Sequence, residues 1–284
     1  MMKFAKNILL YPALAALAFN LTACGLHSDE KEREAARQRL REQMPGALEQ
    51  VRGAYAGVAG AASAAAEAYV PPASQDGREM TLAELMDAAQ DPQTMADMRA
   101  FFADALFIGD SRTVGLRQYA GLDQTDFFAL TGMSVFDVFK NEAETAGQKT
   151  TLEGLLTQKQ YSRIYLMLGI NELGYNLSSI EKKYDEVVER LQTLQPQAQL
   201  WLQANLHVTQ ARSEKDAIYN NAAINALNDV IYAIAQERQT GWLDINPVFD
   251  DANGNLDPEY TYDHTHVLGK YYQYWTLWIY YQTK

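Results

Sequence analysis

The chain has 284 residues, 24 Lys+Arg against 36 Asp+Glu for a formal charge of -12, and a single cysteine. That length and a 48% hydrophobic content suffice for a substantial core and exclude disorder of the whole chain. One cysteine excludes an internal disulfide, a Cys-rich zinc site and an iron–sulfur cluster, and the acidic balance argues against nucleic acid as a partner.

The N-terminus reads as an export signal. Lys3 and Lys6 form a short positive segment, residues 8–21 are mostly apolar, and Leu21-Thr22-Ala23-Cys24 follows. Small residues before a cysteine resemble the lipobox of bacterial lipoproteins. That resemblance implies cleavage after residue 23, acylation of the Cys24 thiol with diacylglycerol, and an extracytoplasmic chain held to a bacterial membrane by its lipid. The alternative is a plain signal peptide or short span with an incidental cysteine, but the apolar run falls short of the roughly 20 residues a span needs. The acidic chain would gain no attraction to anionic lipid, so the bilayer is a partner through Cys24 alone.

Residues 24–80 read as anchor, tether and linker. Between 29 and 52, acids such as Glu30, Glu34 and Glu42 interleave with bases such as Lys31, Arg37 and Arg41, the pattern of a solvated helix. An Ala-rich stretch with Gly53, Gly57 and Gly60 has few large side chains to bury, and Val70-Pro71-Pro72 opens a linker.

From Thr81 the pattern changes, and residues 81–284 read as one domain. Thr81-Leu82-Ala83-Glu84 has the capping-box spacing, which predicts a helix start. Short apolar runs at 105–108, 127–130, 164–168, 200–202 and 242–245 are joined, in the later part, by helical patterns at 180–194 and 220–238, with a last helix over 269–282. Buried runs separated by crossover helices predict an α/β fold with a mainly parallel sheet covered on both faces.

Catalytic and binding groups in such sheets gather where strands end and helices begin. The first run ends in Gly109-Asp110-Ser111-Arg112. A serine at a strand-to-helix turn presents its hydroxyl near the positive end of the helix, either as a nucleophile or as the helix cap. The second run ends in Thr131-Gly132-Met133-Ser134, the third in Gly169-Ile170-Asn171-Glu172, and Asp263-His264-Thr265-His266 precedes the last helix. A serine nucleophile needs a base, a carboxylate that orients the base, and donors for the oxyanion. Asp263 and His266, three residues apart, can meet within one turn and leave the other imidazole nitrogen for Ser111.

Residues from about 104 to 284 resemble the SGNH, or GDSL-type, hydrolase superfamily, whose blocks occur here in order as Gly109-Asp110-Ser111, Gly132, Gly169-Ile170-Asn171 and Asp263-x-x-His266. The resemblance implies a three-layer α/β/α sandwich on a flavodoxin-like five-stranded sheet, with no metal or organic cofactor. It implies Ser111 as nucleophile, His266 as base and Asp263 as its partner. The oxyanion donors would be the Ser111 and Gly132 N–H groups and the Asn171 amide. Arg112 stands where the name-giving leucine usually sits, and Glu172 where aspartate often follows the asparagine. Arg112 is thus a candidate contact for an anionic substrate group, or the partner of a nearby acid. His264 is a second candidate substrate contact and an alternative to His266 as base, although the three-residue spacing from Asp263 favours His266. His207, past the fourth run, either lines the cleft or is a surface loop residue.

Two further features are structural. Tyr271, Tyr274, Trp275 and Trp278 recur at helical spacing, as a core face packed on the sheet rather than a sugar platform. The segment 250–255 is rich in Asp and Asn, but its glycine is misplaced for a calcium loop, which leaves a turn.

The expectation is an exported, lipid-anchored serine esterase acting on small-molecule or carbohydrate esters, O-acetyl groups foremost. The alternatives are an O-acyltransferase for cell-envelope polysaccharide, built on the same residues, and a non-catalytic envelope-binding lipoprotein.

Overall fold

The computed structural model describes residues 80–145 and 147–284. The expected signal peptide, Cys24 and the expected tether up to residue 79 lie outside the described residues.

Helix α1 (Leu82–Ala88) starts where the capping box predicts. Thr81 N donates to Glu84 Oε2 at 2.8 Å, and Glu84 N donates to Thr81 Oγ1 at 3.3 Å. Helix α2 (Pro92–Phe102), absent from the sequence reading, is capped by Asp91 and has proline in its first turn, where the missing N–H costs nothing.

Five strands form one parallel sheet: β1 (Ala105–Gly109), β2 (Asp126–Ala129), β5 (Arg163–Met167), β6 (Gln199–Gln203) and β7 (Gly241–Leu243). Their order is β2-β1-β5-β6-β7, so that, counted within the sheet, the strands run 2-1-3-4-5, the flavodoxin-like doubly wound arrangement. Strands β3 (Glu142–Thr145) and β4 (Gln148–Thr151) make a separate antiparallel hairpin, followed by α4 (Leu152–Gln158).

Successive strand residues feed opposite faces of the sheet. Leu106, Ile108, Ile164 and Leu166 enter a core completed by α5 (Leu177–Leu194) and α7 (Asn221–Glu237). Phe107, Tyr165 and Met167 enter the other core, with Phe102 of α2 and Trp275 and Trp278 of α9 (Tyr272–Thr283). This is the α/β/α sandwich that the alternating runs predict. On the second face Phe107 stacks between its register partners Phe127 and Tyr165, with ring centroids 5.2 and 4.6 Å away. Such cross-strand aromatic pairs add to the burial energy. The Tyr271, Trp275 and Trp278 stripe is buried, as its core reading expects, and Tyr274 packs half-buried against it.

The register places the site. Gly109 pairs with Ala129 on one side and Met167 on the other, so the loops after β1, β2 and β5 leave the sheet at one level. That edge lies across the point where strand order reverses, the usual place for a ligand crevice in an open α/β sheet.

Candidate active site

A Cβ at Gly109 would lie 2.1 Å from Thr113 Oγ1 and 2.6 Å from Met167 O, so only glycine lets the next helix turn back this close to the strand. Asp110 then caps α3 (Ser111–Tyr119) by accepting from Arg112 N at 3.0 Å. The cap is therefore Asp110, which leaves Ser111 as the first helical residue with an uncommitted hydroxyl. N–H groups in a first helical turn have no intrahelical acceptor, and this end of the helix favours negative charge.

Ser111 Oγ lies 2.8 Å from His266 Nε2, and His266 Nδ1 lies 2.7 Å from Asp263 Oδ2. The tight loop that pairs Asp263 with His266 passes through His264 at φ 66, a left-handed conformation uncommon outside glycine. It is tied down by neighbours: Thr209 N donates to His264 O at 3.2 Å and Arg212 Nη1 donates to Thr265 Oγ1 at 2.8 Å. Asp263 also accepts from His266 N at 2.8 Å and Thr265 N at 3.0 Å. Partial burial works against the charge on Asp263, but the donors from His266 and Thr265 outweigh it and hold the carboxyl down to about 2. A hydroxyl facing an imidazole whose far nitrogen is held by a fixed carboxylate can give up its proton to the ring as it attacks an electrophile.

The loops that carry the other two blocks leave the sheet at the same edge, although neither Gly132 nor Asn171 is among the residues that line the cleft over Ser111. Gly132 is exposed at φ 80 with nothing within 4 Å of the position a Cβ would take, a backbone that other residues adopt only with strain. Asn171, in the short turn Ile170–Glu172, donates from Nδ2 to Met133 O at 3.0 Å, which leaves its second amide hydrogen. A cleft of about 440 Å³ opens over Ser111 and His266, walled by Gln118, Tyr119, Thr131 and Tyr262 among others. Among the described residues, Asp263 is the only fixed charge in its lining.

Arg112 does not take the substrate-contact role proposed for it. Arg112 is buried, with Nε on Asp110 Oδ1 at 2.9 Å, Nη2 on Asp110 Oδ2, and Nη2 also on Asn205 Oδ1 at 2.8 Å. An arginine two residues past a capping aspartate curls back onto it, and the cleft lining does not include it. His264 is exposed, outside the cleft, with Nδ1 3.0 Å from Thr209 Oγ1. Its backbone turns the loop.

His207 is neither in the cleft nor on the surface. It is buried, with Nδ1 2.8 Å from Asp250 Oδ2 and Nε2 2.6 Å from Asn225 Oδ1. The acidic segment after it is a turn in which Asp251 Oδ1 accepts from Asn253 N at 2.8 Å and Asn255 N at 3.1 Å.

The sequence reading missed the buried polar layer under the serine. Asn205 accepts from Arg112, while Asn228 Oδ1 accepts from Asn205 N at 2.7 Å. Glu172 is fully buried and accepts from Val135 N at 2.5 Å. Burial pushes its carboxyl up to about 7; Asp110 and Asp137 add to the rise, and the Val135 N–H and Arg112 oppose it. The one signal in sequence was composition: polar residues set at the ends of strands that otherwise read as continuous apolar runs.

A family described as GDSL-like Lipase/Acylhydrolase matches residues 107–273. No curated protein matches the chain. Among solved structures, an acetyl xylan esterase is 15% identical, covering 63% of this chain and 99% of its own with a TM-score of 0.48. A GDSL-like lipase from Bacteroides thetaiotaomicron is 16% identical, covering 69% and 93% with a TM-score of 0.47. An acetylxylan esterase from Geobacillus stearothermophilus is 16% identical, covering 63% and 94% with a TM-score of 0.45. With its family match running from the first strand of the sheet into the last helix, the chain belongs to the GDSL-like lipase/acylhydrolase family.

Proposed function

We propose that this GDSL-type esterase is an exported, lipid-anchored enzyme that transfers the acyl group of a neutral ester, an O-acetyl group on a carbohydrate foremost, to Ser111 and then to water. The observation that carries the chemistry is the unbroken chain from Ser111 Oγ through the His266 ring to Asp263. Ser111 Oγ attacks the ester carbonyl while His266 Nε2 takes its proton. The tetrahedral oxyanion is met by the N–H groups of Ser111 and Gly132 and by the Asn171 amide. His266 returns the proton to the departing alcohol, then activates the water that releases the acid. A cleft to which the described residues bring no fixed charge beyond Asp263 supports an uncharged ester.

Hydrolysis of p-nitrophenyl acetate by the purified chain is expected to vanish in Ser111→Ala and to survive in Ser134→Ala. Unchanged activity in Ser111→Ala would sink the reading. For the anchor, the full chain expressed in bacteria with an alkyne fatty acid is expected to take up label and lose it in Cys24→Ser. Equal labelling of the two removes the lipid attachment.

A further inference from the structure

Two consecutive side chains of the Ile170–Glu172 turn grip the loop after β2 at alternate residues. Asn171 Nδ2 donates to Met133 O at 3.0 Å, and Val135 N donates to Glu172 Oε1 at 2.5 Å. Gly132 stands immediately before this double grip. It is exposed, at φ 80 in a turn that Met133 N closes by donating to Leu130 O at 3.1 Å. That turn sets the Gly132 backbone locally, and the grip on Met133 and Val135 sets where the turn stands against the sheet.

Glu172 is an expensive way to fill that space. It is fully buried, and its second oxygen, Oε2, has no hydrogen-bond partner. An apolar residue of similar volume would serve stability as well or better. What an apolar residue cannot do is accept from Val135 N. The groups that act on Glu172 come from three sides: Asp110 and Arg112 beneath the serine, Asp137 beyond the loop, and Tyr184 of α5. The residue thus stands between the polar layer under Ser111 and the loop that carries Gly132.

We infer that Glu172 is a positioning residue: by holding Val135 N it fixes the Gly132 N–H where the oxyanion forms over Ser111. This rests on the roles proposed above for Ser111 and Gly132. A donor displaced by about 1 Å can cost roughly 100-fold in rate, and removing one oxyanion donor costs roughly 100- to 1,000-fold.

The test uses Glu172→Met, which fills the space without an acceptor, and Glu172→Gln, which keeps an acceptor oxygen. Active sites are first counted by fluorophosphonate titration, so that misfolded protein drops out. Glu172→Met is expected to lose at least roughly tenfold in kcat per active site on p-nitrophenyl acetate with KM within about twofold, and to bind a methyl trifluoromethyl ketone more weakly by a comparable factor. Glu172→Gln is expected to stay within about threefold of the parent in both. Wild-type kcat per active site in Glu172→Met, or an equal loss in Glu172→Gln, would overturn the inference. Should Glu172→Met not fold, Glu172→Asp, too short to reach Val135 N, is judged against Glu172→Gln by the same readouts. Activity retained in Ser111→Ala would sink the underlying reading, whereas an inactive Ser111→Ala beside an unimpaired Glu172→Met sinks this inference alone.

Discussion

Ser111 Oγ and His266 Nε2 meet at 2.8 Å across 155 residues of sequence, and the packing of α3 against α9 is what brings them there. Gly115 is the contact point. A Cβ on it would lie 2.2 Å from Cζ of Tyr272, the first residue of α9. Tyr272 in turn stacks on Trp275 with an interplanar angle of 7°, so the ring cannot swing aside without disturbing the core. Gly115→Val is therefore expected to push α9, and with it the His266 loop, away from the serine. Overpacking of this kind costs about 1–3 kcal/mol, and a misplaced base costs at least roughly tenfold in kcat. A urea melt and kcat per titrated active site measure the two effects separately.

Asp263 stays charged through the range in which esterases are assayed, since its carboxyl is held down to about 2. Changes in rate between pH 4 and 9 then do not arise from its titration. Asp263→Asn removes the charge at every pH and is expected to lower kcat by roughly 100- to 10,000-fold with the fold intact. The depressed value also means that Asp263 contributes stability above about pH 4, lost as the pH falls towards 2. Urea melts at pH 5 and pH 2.5 should show a larger drop for the parent than for Asp263→Asn.

Arg112 neutralises a carboxylate that is wholly buried. Arg112→Met leaves Asp110 charged without its cation and is expected to cost about 3–5 kcal/mol, measurable by urea denaturation. Arg112→Lys cannot make the forked contact and should recover only part of it. Because Arg112 is absent from the cleft, the ratio of kcat/KM for anionic to neutral esters should not change in Arg112→Lys. A shift in that ratio would restore its role as a substrate contact.

Glu172 links stability to pH with the opposite sign from Asp263. Its folded-state value is raised to about 7 from 4.5, so the folded chain keeps a proton that the unfolded chain has released. Stability should therefore fall as pH rises from about 4.5 to 7 and level off above that, by up to about 3 kcal/mol from this group. Glu172→Gln has no proton to lose and should lack that slope. Unfolding free energies of the two proteins at pH 5 and pH 7.5 give the comparison directly.

Much of the fold is legible in local chemistry. The Thr81–Glu84 box, the five apolar runs and the long helices stand close to where residue patterns place them, because each depends on neighbours within a turn or on strand alternation. The β3–β4 hairpin was not legible: its residues are mostly polar, and only Ala143 and Thr145 are buried in it. Helix α2 was missed for a similar reason, since only Met98 and Phe102 are buried along it. At the site, the separation of Asp263 and His266 was enough to foresee their pairing. It could not show that the His264 backbone would turn the loop between them.

The sequence by itself determined which chemical groups exist, in what order, and at the end of which strand or helix each would stand. Only the tertiary structure decided their company. Asp110 rather than Ser111 caps the helix, Arg112 folds inward, and Glu172 reaches the loop after β2. The physical reason is range. Propensity, capping and periodicity act over a few residues, whereas the meeting of Ser111 with His266 depends on parallel strand register and on two helices packing closely at Gly115, contacts between residues far apart in the chain.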